Sequence, residues 1–215
     1  MGSTIHGLGR TPSIAGVRAP EPASSPRATF ATAPVRTSFT HPLQVSYVAS
    51  GVAGKIGMTI CPGKGGPSKS EHTWQRSLDA DLERLKKNDK CDVLVSLIED
   101  FELNLLQIPG LVEKGTALGI HVERFPIKDV SIPQMDPTIA EVAKLKAWVE
   151  EGKNLVIHCR GGNGRTGLVA ACLLIALGKS PGNAIKAVRN QRPKAIETKQ
   201  QEQFVYDFAT KLGVS

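Results

Sequence analysis

The sequence predicts an α/β fold in three layers, with a central, mostly parallel sheet flanked by helices. Three observations predict it. Short runs rich in Val, Leu and Ile alternate with longer stretches of helical period, which is the pattern of strand–helix–strand units. A glycine-rich loop, HCRGGNGRTG at 158–167, joins one such run to a helix, where sheets of this kind bind ligands. With 215 residues, of which 40% are hydrophobic and 22% charged, the chain can build one well-packed core plus a tail.

Residues 1–43 are rich in Ser, Thr, Pro, Ala and Gly, carry four arginines and show no period. Such a stretch buries too little surface to offset the entropy of ordering, so a disordered tail is expected there, followed by one domain over 44–215. Val45–Ala49 and Ile56–Cys61 read as strands around the turn-prone ASGVAGK, and CPGKGGPSKS at 61–70 reads as loop. In TWQRSLDADLERLKKND, Trp74, Leu78, Leu82 and Leu85 fall on one helical face. Cys91–Ile98 is a buried strand followed by two acids and short helices through Leu118, and Ile120–Phe125 is another strand. DPTIAEVAKLKAWVEEG has Pro near its start, Gly at its end and Ile139, Val142, Leu145 and Val149 on one side, a capped amphipathic helix. Asn154–His158 is the next strand, and helices are expected at 165–177, 180–191 and 198–212.

Several function classes fall away on bulk properties. The formal charge of +7 sits in the first 70 residues, where seven Lys/Arg face the single acid Glu21; beyond them 20 basic and 19 acidic residues nearly balance. A nucleic-acid face is not expected. The longest apolar stretch, Leu168–Leu177, is ten residues, about half of a bilayer span, so no transmembrane segment is expected. Cys61, Cys91, Cys159 and Cys172 form no C-x-x-C pair, and the five histidines are scattered, which argues against a disulfide framework, zinc or any other metal. Reducing, cytoplasmic surroundings fit best, with an organellar or secreted protein as the alternative if the Arg- and Ser-bearing tail is a targeting signal.

The loop at 158–167 admits two chemistries. Gly162, Gly164 and Gly167 spell the G-x-G-x-x-G of a dinucleotide site. Such a site needs a second strand ending in an acid about twenty residues on, yet SPGNAIKAVRNQRPKA reads as another helix and a break. GKGGPSKS at 63–70 is a second decoy: Ser68 replaces a required glycine of a nucleotide loop and Pro67 removes an amide. A cysteine chemistry accounts for more residues. A thiol titrates at about 8.5 when free, but at a helix N-terminus beside an arginine it becomes a thiolate at neutral pH. Cys159 is then a nucleophile, and the loop of Arg160, Gly161, Gly162, Asn163 and Gly164 turns its amides toward a phosphoryl group. Arg165, on the first turn of the helix, clamps two phosphoryl oxygens. Attack by sulfur also requires an acid for the departing oxygen, and Asp129 in FPIKDVSIP, just past a strand end, is the candidate.

HCRGGNGRTG matches the H-C-x-x-G-x-x-R-[ST]-G signature of cysteine-dependent protein phosphatases. With CPGK, DLERLKKNDKCDVLVSLIEDFEL, FPIKDVSIP and AIETKQQEQF, the chain over roughly 56–212 resembles the kinase-associated, cyclin-dependent-kinase-inhibitor-type branch of the dual-specificity phosphatases. The resemblance implies a protein tyrosine phosphatase-like fold and cofactor-free hydrolysis of phosphotyrosine and phosphoserine or phosphothreonine. Its substrate would be a phosphorylated protein, with a protein kinase among the candidates. By the same resemblance Cys159 is the nucleophile, Arg165 the phosphate clamp, and Asp129 the acid that later becomes the base. Thr166 steadies the sulfur as it leaves, and His158 orients the loop. Where related phosphatases often carry a water-positioning glutamine this chain has Glu197, with Gln201 at the second glutamine place. Arg160 either adds an anion contact or faces solvent. Cys172 is expected in the core. Two other functions compete: the same chemistry on a small-molecule, lipid or carbohydrate phosphate, and a phosphoprotein-binding module without catalysis.

Overall fold

The computed structural model describes residues 33–67 and 72–214. In chain order the elements are β1 (Val35–Arg36), β2 (Ser46–Val48), β3 (Ile56–Thr59), β4 (Gly65–Pro67), β5 (Thr73–Gln75), α1 (Leu78–Lys87), β6 (Val93–Ser96), α2 (Asp100–Leu105) and α3 (Leu111–Ala117). They continue with β7 (His121–Arg124), α4 (Met135–Glu150), β8 (Leu155–His158), α5 (Gly164–Ala176), α6 (Pro181–Gln191) and α7 (Lys199–Lys211). The central sheet has the order β2-β3-β8-β6-β7, with only β2 antiparallel to its neighbour. This is the mostly parallel α/β sheet that the strand–helix alternation predicts.

The period of two along the strands divides the core into two layers. Val93, Val95, Leu155 and Ile157 point to one face, where they pack with residues of α4, α5, α6 and α7. Leu94 and Val156 point to the other, against Leu82 and Leu85 of α1 and Leu111 of α3. Helix α5 is buried over nearly its whole length, which is why its sequence is apolar on every side and shows no stripe. Cys172 lies fully buried in it. Among the described residues no helix is long and apolar enough to cross a membrane.

Two stretches differ from expectation. The expected disordered tail over 1–43 lies outside the described residues up to Thr32, but 33–43 carry β1 and the buried Leu43, which packs in the layer of α1 and α3. A two-residue strand and one apolar anchor leave no period to read. Of residues 73–77, expected at the start of a helix, 73–75 form β5 instead. Helix α1 begins only at Leu78 because Ser77 caps it, its Oγ accepting the Ala80 N–H at 3.2 Å. Trp74 thus leaves the helical face. It sits on β5, which pairs with β1 in parallel and with β4 in antiparallel fashion, β4 being a strand within the expected loop 61–70.

This small sheet is tied to the domain by a buried ion pair. Arg76 donates through Nε and a terminal nitrogen to both Asp81 oxygens, at 2.7 and 2.8 Å, with both side chains 1% exposed. Asp81 also accepts the Gly63 N–H at 2.9 Å, and Arg76 donates to the His41 carbonyl at 2.8 Å. The ion pair therefore joins α1, the turn before β4 and the segment after β1. Replacing Asp81 with Ala strands a buried guanidinium, and urea unfolding is expected to show a loss of about 3–5 kcal/mol; a loss below about 1 kcal/mol would mean the tie carries no stability.

Candidate active site

The carboxyl ends of β3, β8 and β6 lie side by side, and the chain leaving β3, β7 and β8, with the small sheet and the connection before α7, lines one cavity of about 390 Å³. Its floor is the loop after β8. Cys159 follows His158 directly, and the loop returns into α5, whose first helical residue is Gly164. Gly162 has φ +68°, and a Cβ there would come within 2.3 Å of the Thr59 carbonyl oxygen, so only glycine lets the loop pack on β3. Asn163 closes the turn, its carbonyl accepting the Gly167 N–H at 2.8 Å.

Arg165 is the most heavily bonded side chain of the site and is 1% exposed. One terminal nitrogen donates to Glu102 Oε2 at 2.6 Å and to the carbonyls of Ile127 at 2.8 Å and Leu97 at 3.3 Å. The other donates to Glu102 Oε1 at 3.0 Å and meets Asp129 Oδ1 at 2.9 Å. Its Nε has no hydrogen-bond partner. Burial works against the charge, but the Glu102 hydrogen bond, Cys159 and Asp129 outweigh it and hold Arg165 above the ordinary arginine range. Burial likewise opposes the Glu102 anion, yet the Arg165 bond and a backbone N–H keep that carboxyl below its ordinary range.

The structure brings Cys159, Arg160, Gly161, Asn163, Gly164, Arg165, Asp129, Glu197 and Gln201 to the cavity wall. Asp129, on the loop after β7, is 44% exposed at its side chain. Gln201 is committed at both ends of its amide: Oε1 accepts the Glu197 N–H at 2.9 Å and Nε2 donates to the Ser131 carbonyl at 3.1 Å. It links the start of α7 to the Asp129 loop, and Glu197 remains with an exposed side chain. The Thr166 hydroxyl is fully buried with no hydrogen-bond partner, so a bond to the Cys159 sulfur is not formed. The Asn163 side-chain oxygen accepts from Arg192 Nε at 3.4 Å.

Three contributors are invisible to sequence patterns read one by one. Glu102 holds Arg165, and its only trace is the E-x-x-E spacing that opens α2, where its carboxylate accepts the Glu99 N–H at 2.9 Å. Arg192 braces the loop through Asn163 and the Gly161 carbonyl, at 3.4 and 3.3 Å. Trp74 lines the cavity from β5.

Comparisons with known proteins bear on this geometry. The family described as "Swiss Army Knife protein, DSP-PTPase phosphatase domain" matches residues 110–205. Cyclin-dependent kinase inhibitor 3 of Rattus norvegicus is 33% identical over 142 residues, covering 65% of this chain and 66% of that protein; the Homo sapiens protein of the same name gives the same figures. A crystal structure of kinase-associated phosphatase, with its catalytic-site cysteine replaced by serine, superposes with a TM-score of 0.72 at 27% identity, covering 81% of this chain and 98% of that one. The active form of Tk-PTP gives 0.61 at 26% identity, covering 77% and 97%. The chain belongs to the dual-specificity phosphatases of the kinase-associated type. It is a cysteine-based phosphatase, and its mixed sheet between helices is the protein tyrosine phosphatase-like fold.

In this dual-specificity phosphatase His158 closes β8 at the foot of the loop. It is fully buried, its Nδ1 lies 3.4 Å from the Cys159 carbonyl and its Nε2 has no partner. Burial, with the nearby Arg124 and Arg165 charges, pushes it down to about 4 from the ordinary 6.5. The folded ring thus stays neutral while the unfolded one takes a proton below pH 6.5. Stability is expected to be full above about pH 6.5 and to fall by about 3 kcal/mol as the pH drops toward 4. Unfolding free energies measured across that window should slope in the unsubstituted chain and lie flatter in His158→Asn; equal slopes would assign the acid sensitivity elsewhere.

Proposed function

We propose that the chain hydrolyses phosphotyrosine and phosphoserine or phosphothreonine in proteins through a cysteinyl-phosphate intermediate. The observation that carries this reading is the unfilled edge of Arg165: Nε has no partner, and the adjacent terminal nitrogen is held only by Glu102 and by the half-exposed Asp129. A phosphoryl group above Cys159 takes Nε and that nitrogen with two oxygens and releases Asp129 from the guanidinium. Sulfur attacks phosphorus, the bond to the ester oxygen breaks, and Asp129 delivers a proton to the departing alkoxide or phenoxide. In the second half Asp129 takes a proton from water, water oxygen bonds to phosphorus and sulfur leaves, with Thr166 as its hydroxyl donor. Since Gln201 is already bonded at both ends, Glu197 is the side chain left to orient that water.

The working unit is residues 44–215, with β1 joined to it from the segment before. Its partner is a phosphorylated protein, with a protein kinase as one candidate. A reducing compartment such as the cytoplasm suits a chain whose four cysteines are free thiols. A phosphopeptide panel over Tyr, Thr and Ser, with a phosphoinositide control, tests the substrate class. Cys159→Ser should abolish turnover of every ester while keeping phosphopeptide binding; undiminished hydrolysis by that variant ends the proposal, and binding without turnover by the unsubstituted chain would leave a binding module.

Asp129→Asn should slow phosphoserine peptides by about 10²–10⁴-fold and an activated aryl phosphate far less, since a good leaving group needs no proton. Equal slowing of both, compared as kcat, would remove Asp129 from the acid's place.

A further inference from the structure

We infer that the cavity contains a second anion subsite, built by the small sheet, which takes a phosphate or carboxylate flanking the phosphorylated residue of a peptide. The inference rests on the chain acting on phosphoproteins. One phosphoryl group occupies the loop and Arg165, yet Arg36, Lys64, Arg160 and Lys194 also line the cavity. None of these four has a carboxylate within 4.0 Å among the described residues, where Arg165 has two and Arg76 one. Lys64 is only 7% exposed, and an ammonium in that position is costly unless an anion meets it. Burial and the charge of Arg160 hold Lys64 below its ordinary range, a cost that an anion set between them removes.

His72 supplies a second, independent sign. It is 6% exposed, lines the same cavity, and its Nε2 has no hydrogen-bond partner. These groups are also held in place. The Trp74 indole meets the His72 ring edge-on at 4.6 Å, and Arg36 and Lys64 stand 6.0 and 5.9 Å from its centre. Arg36 is the register partner of Trp74 across β1 and β5, so the strand pairing itself sets the charge beside the ring. A preorganised cationic corner binds a fixed anion without the ordering cost that loose surface lysines bear.

The test is binding to the full chain carrying Cys159→Ser, which needs no turnover. Three peptides are compared: one phosphotyrosine with neutral flanks, the same with a second phosphate, and the same with glutamates in place of that phosphate. The second phosphate should tighten binding by about tenfold or more, and the glutamates by less, as expected for charge-assisted hydrogen bonds. In Arg36→Ala and Lys64→Met the gain should fall below about threefold. Glutamates matching the phosphate would make the natural group a carboxylate. If Lys64→Met fails to fold, Arg36→Ala on its more exposed strand decides. Equal affinity for all three peptides, a gain unchanged in the variants, or tighter binding to phosphoinositide vesicles than to the doubly phosphorylated peptide would overturn the subsite. If the unsubstituted chain hydrolyses none of the peptides while the preference persists, the phosphatase proposal falls and the subsite stands.

Discussion

The site depends on one buried charge. Arg165 enters the interior from the first turn of α5, and a guanidinium there is tolerable only if nearly every N–H is bonded. The chain supplies acceptors from three directions: Glu102 from α2, Leu97 from the end of β6 and Ile127 from the connection after β7. Chain 38 to 68 residues upstream is thereby fixed relative to the loop on β8. The bonds are not spread evenly. Both terminal nitrogens are bonded, one of them partly to the half-exposed Asp129, while Nε has no partner. An arginine that served only stability would leave no such gap, and a lysine could not be bonded on one side and open on the other.

How legible this was depends on whether a residue announces itself locally. Cys159, Arg165 and the loop glycines share ten residues of chain, and Asp129 is marked by its place after a strand between two prolines. The parallel sheet was legible because strands covered on both faces are largely apolar, as β3, β6 and β8 are up to their last residues, Thr59, Ser96 and His158. Glu102 was not, since its partner lies 63 residues away and its local spacing says only that a helix begins. Trp74 misled for a related reason. It falls in register with Leu78, Leu82 and Leu85, and a period cannot tell that Ser77 stops the helix in between. The small sheet has strands of two or three residues whose pairing is decided across the chain, by Pro34 accepting from Thr73 and by the Asp81 tie.

Among the described residues four non-glycine residues have positive φ, and the two β-branched ones lie in the loops that carry Asp129 and Glu197. Val130 and Ile196, both β-branched, have φ of +57°, a region such side chains rarely enter, at a cost of about 1–3 kcal/mol each. Val130 follows Asp129, and Ile196 precedes Glu197. Both strained turns are held by bonds to neighbours: Val130 N–H donates to Asp129 Oδ1 at 3.1 Å, and the Ile196 carbonyl accepts from Arg189 at 3.1 Å. The strain at 196 swings Glu197 out of the helix line toward the cavity while Ile196 itself stays buried. At 130 the strain turns the chain at the tip of the loop, leaving the Asp129 carboxylate over Arg165.

Glu197 poses the sharper electrostatic question, because a carboxylate near a phosphorylated cysteine repels it. Gln201 cannot relieve the conflict, since its amide is spent on Glu197 N–H and the Ser131 carbonyl. Cations lining the same cavity can. Lys194 and Arg160 line the same cavity as Glu197, and neither is paired with an acid among the described residues. A carboxylate that orients water also draws more electron density to its oxygen than an amide does, so its repulsion of the intermediate is offset by a better nucleophile. The surplus of positive charge around the cavity therefore has two uses under the proposed reaction: it receives the anions of the substrate, and it makes an acid tolerable where an amide would be the electrostatically safer choice.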